Sequence, residues 1–314
     1  MAQVSTGSSE AFYSNKNIFF VVALSAIYLG LSNFLIGFKP EQVFLVLLFS
    51  LLYFASAVSR KFILAFSIFI VYWIIFDWMK AFPNYRYQEV HIRDLYMAEK
   101  KLFGISFGRT EITPNEYWLR NGNTWLDILA GLFYLTWVPV PLLFAAFLFF
   151  KNRKQFFYFS LTFFLVNLIG FVIYYSFPAA PPWYVQQHGF VFQAATPGST
   201  AGLSKFDHFF NAGIFKSIYT KSSNVFAAMP SLHSSYPVIV LYYGLKNKMG
   251  AANILFTVVM LGIWFSAVYA SHHYVLDVLM GIACAVTGIS LFELLAANSR
   301  FIQAFINRLV TSTT

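Results

Sequence analysis

The chain has 314 residues, of which 59% are hydrophobic and 11% are charged, so its apolar surface exceeds what the core of one soluble domain can bury. This composition excludes a soluble globular enzyme and predicts a membrane protein with several spans. The formal net charge of +9 does not indicate nucleic-acid binding, because the basic residues are scattered over loops that flank apolar runs. We expect lipid phosphates to be their partners.

The first 17 residues are polar, and the apolar run after them is longer than the core of a signal peptide, so we expect an uncleaved first span. Runs close to the roughly 20 residues that cross a bilayer recur along the chain. They predict an all-α, polytopic membrane helix bundle with about eight transmembrane helices. The predicted spans are 18–37, 41–59, 61–79, 126–150, 156–177, 230–247, 251–270 and 274–296. Pro237 falls inside the sixth span, where neighbouring helices are expected to satisfy the carbonyl that it frees.

This pattern divides the chain into four parts. A polar N-terminal tail covers 1–17, and three spans with a long loop cover 18–125. A catalytic membrane domain follows at 126–297, and a C-terminal tail covers 298–314. Cys284 is the only cysteine, so disulfides and cysteine-based metal sites are excluded.

Short basic turns fall on one side of the membrane when eight spans are counted. They contain Arg60 and Lys61, then Lys151, Arg153 and Lys154, then Lys246 and Lys248, then Arg300 and Arg308. The positive-inside rule places this side, with both termini, in the cytoplasm. Two long loops, the first at 80–125 and the second at 178–229, are then extracytoplasmic. We expect them to cover a site, because long ordered loops usually carry function.

The segment YYSFPAAPPWY at 174–184 ends the fifth span, because its three prolines cannot continue a helix. Trp183 and Tyr184 suit the headgroup layer, and we expect them to contact substrate headgroups there. The alternative interpretation is a rigid span terminus without a role in binding.

Histidines gather on the extracytoplasmic side of the predicted bundle. His233 starts the sixth span, and SHHYVLD at 271–277 opens the eighth, so both places face the same side. His273 and Asp277 are four residues apart on one helix face, so the carboxylate can hold the imidazole in one tautomer and stabilise its cation. His272 is five residues from Asp277 and is rotated away from it by roughly 140° on the helix. We therefore expect His272 to contact the substrate and not to act as a catalytic group.

Ser231 lies near the N-terminus of the sixth span, where free N–H groups and the helix dipole favour an anion. Two histidines, a carboxylate and such donors are what phosphoryl transfer through a histidine needs. Two alternatives remain open: each histidine is a packing group, or the ionisable residues form the proton relay of a transporter. A relay is expected near the bilayer midplane, whereas these residues lie at span entrances, which favours an interfacial enzyme.

PSLH at 230–233 and HYVLD at 273–277 resemble the later motifs of the type 2 phosphatidic acid phosphatase superfamily, which read P-S-G-H and H-x-x-x-D. The surrounding segments resemble the inositol phosphorylceramide synthases within it. They are FPAAPPWY at 177–184, GLSKFD at 202–207 and SSNVFAAMPSLHS at 222–234, and the resemblance runs from about 170 to 285.

The resemblance implies a phosphotransferase in which His273 is the nucleophile, Asp277 orients it and His233 carries the proton. Phosphatidylinositol would be the donor, a ceramide-like alcohol the acceptor and diacylglycerol the released product, with no metal or other cofactor. The alternative is a lipid phosphatase that uses water as the acceptor. The sequence does not choose among ceramide, dihydroceramide and diacylglycerol as acceptors.

The chain departs from the superfamily pattern at its cationic residues. It has no Arg-Pro dipeptide, and Ala267 stands where an arginine is expected six residues before the nucleophile. A phosphodiester carries one negative charge, so the loss suits a diester substrate. We expect Lys205 of the GLSKFD segment to replace part of the missing charge, with Asp207 orienting it. The alternatives are an exposed loop lysine and an aspartate that caps the following turn.

Overall fold

A computed structural model describes residues 13–219 and 224–314 of the chain. The described residues are almost entirely α-helical, with a single two-stranded antiparallel hairpin, so the all-α prediction is confirmed. Most of the predicted tail at 1–17 lies outside the described residues. The chain divides into two compact units, one running up to Phe82 together with Ala304–Thr314 and the other comprising Pro83–Gln303.

The first unit contains three apolar helices. They are α1 (Asn15–Ile36), α2 (Pro40–Ala55) and α3 (Ala57–Trp78), followed by a 3-10 turn at Met79–Ala81. α2 begins with a proline, whose missing N–H costs nothing at the first helical position. The Ser56 hydroxyl accepts from the Ser59 N–H at 3.0 Å and so caps α3.

The second unit contains the hairpin and most of the remaining helices. In chain order these are α4 (Arg93–Phe103), β1 (Ile105–Phe107), β2 (Thr110–Ile112), α5 (Pro114–Asn121), α6 (Thr124–Tyr134), α7 (Pro139–Lys151), α8 (Arg153–Ser176), α9 (Pro182–His188), α10 (Ser204–Phe209), α11 (Ile214–Tyr219), α12 (Leu232–Lys246), α13 (Ala252–Tyr269) and α14 (Val275–Asn298). Short 3-10 turns lie at Asn84–Arg86, Leu135–Trp137 and Ala201–Leu203, and α15 (Arg300–Thr313) follows α14. The first residues of α15, up to Gln303, belong to the second unit, and its remaining residues belong to the first unit.

α12 lies inside the bundle of the second unit, packed against α8, α13 and α14. Its contact with α14 depends on Gly281, because a Cβ added there would lie 2.2 Å from the Ser231 carbonyl oxygen. The two backbones can therefore approach directly at the point where α12 begins. This close approach places the start of α12 beside the start of α14.

Five helices of the described chain are long and apolar enough to cross a bilayer, and α6 with α7, which meet at a bend of 40°, form a sixth candidate. The chain is therefore a multi-pass membrane protein. Helices also occupy the other two predicted runs, but α2 and α12 have 16 and 15 residues, fewer than the roughly 20 that a span needs. The count of eight spans stays a prediction.

Main-chain hydrogen bonds join the first loop to the second. The N–H of His91 donates to the Pro178 carbonyl at 2.8 Å, and the N–H of Ala180 donates to the His91 carbonyl at 3.0 Å. The N–H of Ala228 in turn donates to the Ala179 carbonyl at 3.3 Å. The first loop is thus attached to the segment that leads into α12.

The boundary between the two compact units differs from the boundary that the sequence predicted for the first loop. The sequence grouped the first loop with the N-terminal spans, as part of 18–125. In the structure the chain from Pro83 onward packs with the later helices. The compact unit that carries the histidines therefore includes most of the first loop.

Candidate active site

Two imidazole rings from distant parts of the chain face each other at one end of the bundle. His233 lies in the first turn of α12, and His273 lies in the short connection between α13 and α14. Their ring centroids are 5.7 Å apart, and the ring planes are inclined by 66°. The structure therefore brings together the two histidines that the sequence selected, close enough for both to reach one phosphoryl group.

The turn that carries His273 follows from the way α13 ends. The Ala267 carbonyl lies in the last helical turn, and it accepts the main-chain N–H groups of His272 and His273 at 3.1 and 3.0 Å. Ser271 adopts the left-handed conformation, with a φ of 59°, which ends the helix and redirects the chain. Ala267 itself is wholly buried, so a charged arginine at this position would have to be desolvated.

The hydrogen bond of the His273 ring goes to the main chain. Its Nδ1 lies 2.9 Å from the Ala228 carbonyl oxygen, so Nδ1 carries the proton and Nε2 keeps its lone pair. Burial lowers the pKa of His273 to about 4, and the bond to Ala228 opposes that shift. The ring is consequently neutral at pH 7, the state in which it can act as a nucleophile.

Asp277 lies beside the same nitrogen at ion-pair distance. Its Oδ2 is 3.6 Å from Nδ1 of His273 and accepts the Tyr274 N–H at 2.8 Å. Its Oδ1 is buried and has no hydrogen-bond partner within residues 13–219 and 224–314. In this geometry the Ala228 carbonyl sets the tautomer of the neutral ring, and the carboxylate is placed to stabilise a positive charge on it.

His272 occupies a separate packing position. Its ring lies between two tyrosines, with centroids 4.4 Å from Tyr219 and 5.5 Å from Tyr134, and its Nε2 is 3.0 Å from the Thr200 carbonyl oxygen. Burial lowers the pKa of His272 to about 3. The ring is therefore neutral and held by protein contacts, and its predicted contact with substrate stays a prediction.

Ser231 takes part in the contact between the start of α12 and α14. It is wholly buried, its N–H donates to the Asp277 carbonyl at 2.9 Å, and its hydroxyl accepts from Ser234 at 2.9 Å. These bonds tie the start of α12 to the first turn of α14. The geometry favours a role in organising the site, and anion binding by Ser231 stays a prediction.

Lys205 and Asp207 have different partners in the structure. The Nζ of Lys205 lies 3.5 Å from Oδ1 of Asp127, on a side chain that is 44% exposed. The two carboxylate oxygens of Asp207 accept the N–H groups of Phe215 and Lys216 at 3.1 and 2.9 Å, where α11 begins. Asp207 thus caps the start of α11, the alternative that the sequence offered, and the charge of Lys205 is paired with Asp127 instead.

Trp183 and Tyr184 are buried in the second loop, with 5% and 0% exposure. The main-chain N–H of Trp183 donates to the Ser271 carbonyl at 3.0 Å. The Tyr184 hydroxyl donates to the Val191 carbonyl at 2.9 Å and accepts the Gln193 N–H at 2.8 Å. Both rings therefore support the loop from inside, an arrangement that favours the structural interpretation over contact with headgroups.

A cavity of about 610 Å³, lined mostly by polar residues, lies among the segments of the second loop. Its wall includes Gln187, Thr200, Asn211, Lys216 and Tyr219. Tyr219 and Thr200 also contact His272, so the cavity shares two wall residues with the surroundings of that histidine.

Sequence reasoning missed two residues of the first loop that hold the His273 turn. The carboxylate oxygens of Glu99, in α4, accept the N–H groups of Val275 and Leu276 at 2.9 and 3.1 Å. The Asn115 side-chain amide, in α5, donates to the carbonyls of Val268 and His273 at 2.8 and 2.9 Å. Both side chains are wholly buried.

The pKa of Glu99 is well above the ordinary value of a glutamate. Burial raises the pKa of Glu99 to about 7, and nearby Asp277 adds to that rise, while the two N–H bonds oppose it. One signal was present in the sequence: Glu99 is four residues after Leu95, on the apolar face of α4. Asn115 sits in a capping sequence, T-P-N-E, that gives no such signal.

A third missed residue contacts His233. The Tyr134 hydroxyl, at the end of α6, lies 3.0 Å from Nδ1 of His233, and the Trp137 ring lies 4.2 Å from the same imidazole. Tyr134 belongs to the apolar run of a predicted span, where an aromatic residue reads as ordinary packing. Only the folded chain shows the contact.

Within the part of the chain that the structure describes, no group of three or more His, Cys, Asp or Glu side chains is arranged to hold a metal ion. The expectation that no metal or other cofactor takes part in the reaction stays a prediction.

Comparison with known proteins places this geometry in context. Residues 113–291 match the model of the PAP2 superfamily. The chain is 43% identical over 297 residues to a phosphoinositol dihydroceramide synthase of Bacteroides thetaiotaomicron, covering 94% of this chain and 97% of that protein. It is 32% identical to an inositol phosphorylceramide synthase of Candida albicans over 54% of this chain and 36% of that protein. It is 29% identical to the inositol phosphorylceramide synthase catalytic subunit of Saccharomyces cerevisiae, over 64% of this chain and 49% of that one. No solved structure matches the chain.

Proposed function

Because the chain belongs to the PAP2 superfamily, we propose that it is a membrane phosphotransferase that moves inositol phosphate from phosphatidylinositol to ceramide or a related lipid alcohol, releasing diacylglycerol. The relatives named above support the reaction class, and the Bacteroides relative supports dihydroceramide as an acceptor. The observation that carries the proposal is the pair of imidazoles, His233 and His273, 5.7 Å apart at one end of the bundle.

In the first half-reaction Nε2 of His273 attacks the phosphorus of phosphatidylinositol. A nitrogen–phosphorus bond forms, and the bond from phosphorus to the diacylglycerol oxygen breaks. His233, protonated on both nitrogens, gives the Nε2 proton to that leaving oxygen. Inositol phosphate is then attached to His273, and Asp277 stabilises the positive charge on the substituted ring.

In the second half-reaction the now neutral His233 takes the proton of the acceptor hydroxyl. The hydroxyl oxygen attacks phosphorus, the nitrogen–phosphorus bond breaks, and His273 is released with its lone pair restored. The proton that His233 gave in the first step is regained in the second, so the two steps balance.

The charges around the site suit a phosphodiester. Ala267 is uncharged and buried, and Lys205 is partly neutralised by Asp127. A diester with one negative charge needs less cationic stabilisation than a monoester with up to two. We propose that Lys205 helps to bind the phosphate of the donor, and substitution of Lys205 tests this role.

We also propose an orientation in the membrane. Both termini face the cytoplasm, and the site faces the lumen or periplasm. The short basic turns of the sequence support this orientation. Labelling of single cysteines placed in the second loop, in a background without Cys284, would test it with an impermeant thiol reagent. If the cysteines react only after the membrane of intact cells has been permeabilised, the second loop is not extracytoplasmic.

The function is tested by giving the purified protein phosphatidylinositol labelled in its inositol phosphate, with and without dihydroceramide. We expect a labelled phosphoinositol sphingolipid that forms only when the acceptor is present. Release of water-soluble inositol phosphate at a rate unaffected by the acceptor would indicate the phosphatase instead. Mass spectrometry after incubation with a mixed lipid pool would identify donor and acceptor together.

A further inference from the structure

The Tyr134 hydroxyl connects His233 to a second tyrosine. Its oxygen lies 3.0 Å from Nδ1 of His233. The hydroxyl of Tyr219 interacts electrostatically with the same group, and the rings of Tyr134 and Tyr219 lie 5.5 and 4.4 Å from the ring of His272. The Tyr134 side chain has 0% exposure, and its ring is stacked on His272 with an interplanar angle of 22°. The hydroxyl is therefore fixed in direction by packing on several sides.

The proposed reaction places a specific demand on His233. Its Nε2 must give a proton in the first half-reaction and accept one in the second, and the same nitrogen must face the substrate both times. Between the two steps the ring is neutral and carries one proton. That proton must stay on Nδ1, because an imidazole protonated on Nε2 cannot act as a base there.

We propose that Tyr134, supported by Tyr219, is a positioning residue that holds neutral His233 in the tautomer with Nδ1 protonated; this inference rests on the proposed function. Nδ1–H of His233 donates to the Tyr134 oxygen, and the Tyr134 hydroxyl donates its own proton to Tyr219. Because the hydroxyl proton of Tyr134 is directed to Tyr219, the Tyr134 oxygen can only accept in its hydrogen bond with Nδ1 of His233. The same bond is kept when His233 becomes cationic, since Nδ1 is protonated in both states.

Burial shows that Tyr134 acts through His233 and does not itself touch substrate. Its exposure is 0%, whereas His233 is partly exposed. Tyr134 therefore contacts the Nδ1 side of the imidazole from within the packed interior. This arrangement parallels that of His273, whose Nδ1 donates to the Ala228 carbonyl. Both imidazoles use Nδ1 for a protein acceptor and leave Nε2 for chemistry.

The test is the Tyr134→Phe variant, which keeps the ring packing and removes the oxygen. Turnover with phosphatidylinositol and dihydroceramide should fall about 10- to 100-fold, a part of the 10²- to 10⁴-fold contribution of general acid–base catalysis. KM values should change little. The second half-reaction should slow more than the first, because only the second needs neutral His233 in the right tautomer.

Covalent labelling distinguishes positioning from a structural role. Enzyme turning over phosphatidylinositol labelled in the phosphate is quenched in alkali, in which phosphohistidine survives, and the label on the protein is counted. We expect the labelled fraction to be higher in Tyr134→Phe than in the unmodified protein. Tyr219→Phe should produce a smaller rise, because Tyr134 then loses the acceptor for its proton and keeps its oxygen.

Tyr243→Phe is the matched control. Tyr243 is also wholly buried, and its hydroxyl lies 2.8 Å from that of Thr162 and donates to Glu293 at 3.1 Å. It lies ten residues beyond His233, about 15 Å further along α12. The control should lose thermal stability in detergent and keep the labelled fraction and turnover of the unmodified protein.

Two results would overturn the inference in an otherwise active enzyme. One is unchanged turnover in Tyr134→Phe. The other is lower turnover without a rise in the labelled fraction, accompanied by the same loss of thermal stability as in Tyr243→Phe. If the unmodified protein forms neither labelled protein nor phosphoinositol sphingolipid, the proposed function itself fails, and this inference fails with it.

Discussion

The main-chain carbonyl of Ala228 lies 2.9 Å from Nδ1 of His273, closer than any side-chain acceptor of that ring. Ala228 is in turn held by its N–H bond to the Ala179 carbonyl within the second loop, and Ala179 also forms the strand-like bridge to His91 of the first loop. The tautomer of the proposed nucleophile is thus set by loop backbone. Substitutions in the loops are consequently expected to affect chemistry as well as stability.

His273→Ala should abolish transfer while the protein still inserts and folds. The imidazole supplies the nucleophile, and its loss removes few apolar contacts at the end of the bundle. Product formation and alkali-stable labelling of the protein should both disappear. The control is His208→Ala, which removes an exposed histidine from α10 and should leave turnover unchanged. Near-normal product formation by His273→Ala would reject the covalent scheme.

Asp277→Asn should lower turnover by about 10²- to 10⁴-fold with little change in fold, as expected when the charge beside a catalytic histidine is lost. An asparagine oxygen can still accept the Tyr274 N–H, so the first turn of α14 keeps its cap. The missing charge no longer stabilises the cationic imidazole. Asp94→Asn, at an exposed carboxylate of α4 paired with His91, is the control. Equal kcat values for the two variants would contradict a role for Asp277 in catalysis.

Asn115→Ala should lower turnover and thermal stability together, because the carbonyls of Val268 and His273 lose their shared donor. The His273 carbonyl is left without this donor, at a cost of about 1–3 kcal/mol for a buried unpaired acceptor, whereas the Val268 carbonyl keeps the Ser271 N–H at 3.1 Å. Asn121→Ala, at the exposed end of the same helix, is the comparison, since its amide bonds only within α5. Kinetics and melting in detergent would be measured for both. If Asn115→Ala matches Asn121→Ala in both measurements, the Asn115 bonds to the Val268 and His273 carbonyls are not needed for turnover or stability.

Glu99 should make stability depend on pH between about 5 and 7. Its pKa is raised to about 7 in the folded protein from an ordinary value of 4.5, so the folded state binds the proton more tightly than the unfolded state. The contribution of Glu99 to stability therefore falls as pH rises through this window and is constant above it. Melting temperatures measured across the window should decline less steeply with pH in Glu99→Gln.

The comparison for that experiment is Glu111→Gln, which changes an exposed carboxylate of β2 in the same loop. Its melting temperatures should follow the pH slope of the unmodified protein. If Glu99→Gln and Glu111→Gln show the same slope, the buried carboxylate does not titrate in this range.

Much of the architecture was predictable because it depends on composition and spacing. Apolar runs of sufficient length form helices in a membrane, since every backbone polar group must be satisfied within the segment. The short separation of His273 and Asp277 put them beside each other, although His273 lies just before α14 and not on the helix, and span parity put His233 at the same end of the bundle. The family resemblance rested on these same short motifs.

Several residue roles were not predictable in the same way. Trp183, Tyr184, Ser231 and Asp207 carry side chains that suit a lipid headgroup, yet in the structure they are buried and bonded to protein groups. Local sequence reports the chemistry of a side chain but not which way it points.

The sequence alone determined that this is a helical membrane protein with an imidazole pair and a carboxylate at the lip of the bundle, because hydrophobic length and helical periodicity are local properties. Only the tertiary structure decided that the Ala228 carbonyl, Glu99, Asn115 and Tyr134 hold these groups. Those contacts join residues far apart in the chain, and three of the four use main-chain N–H or C=O groups, which local sequence does not distinguish. Their geometry follows from how the loops fold onto the helices.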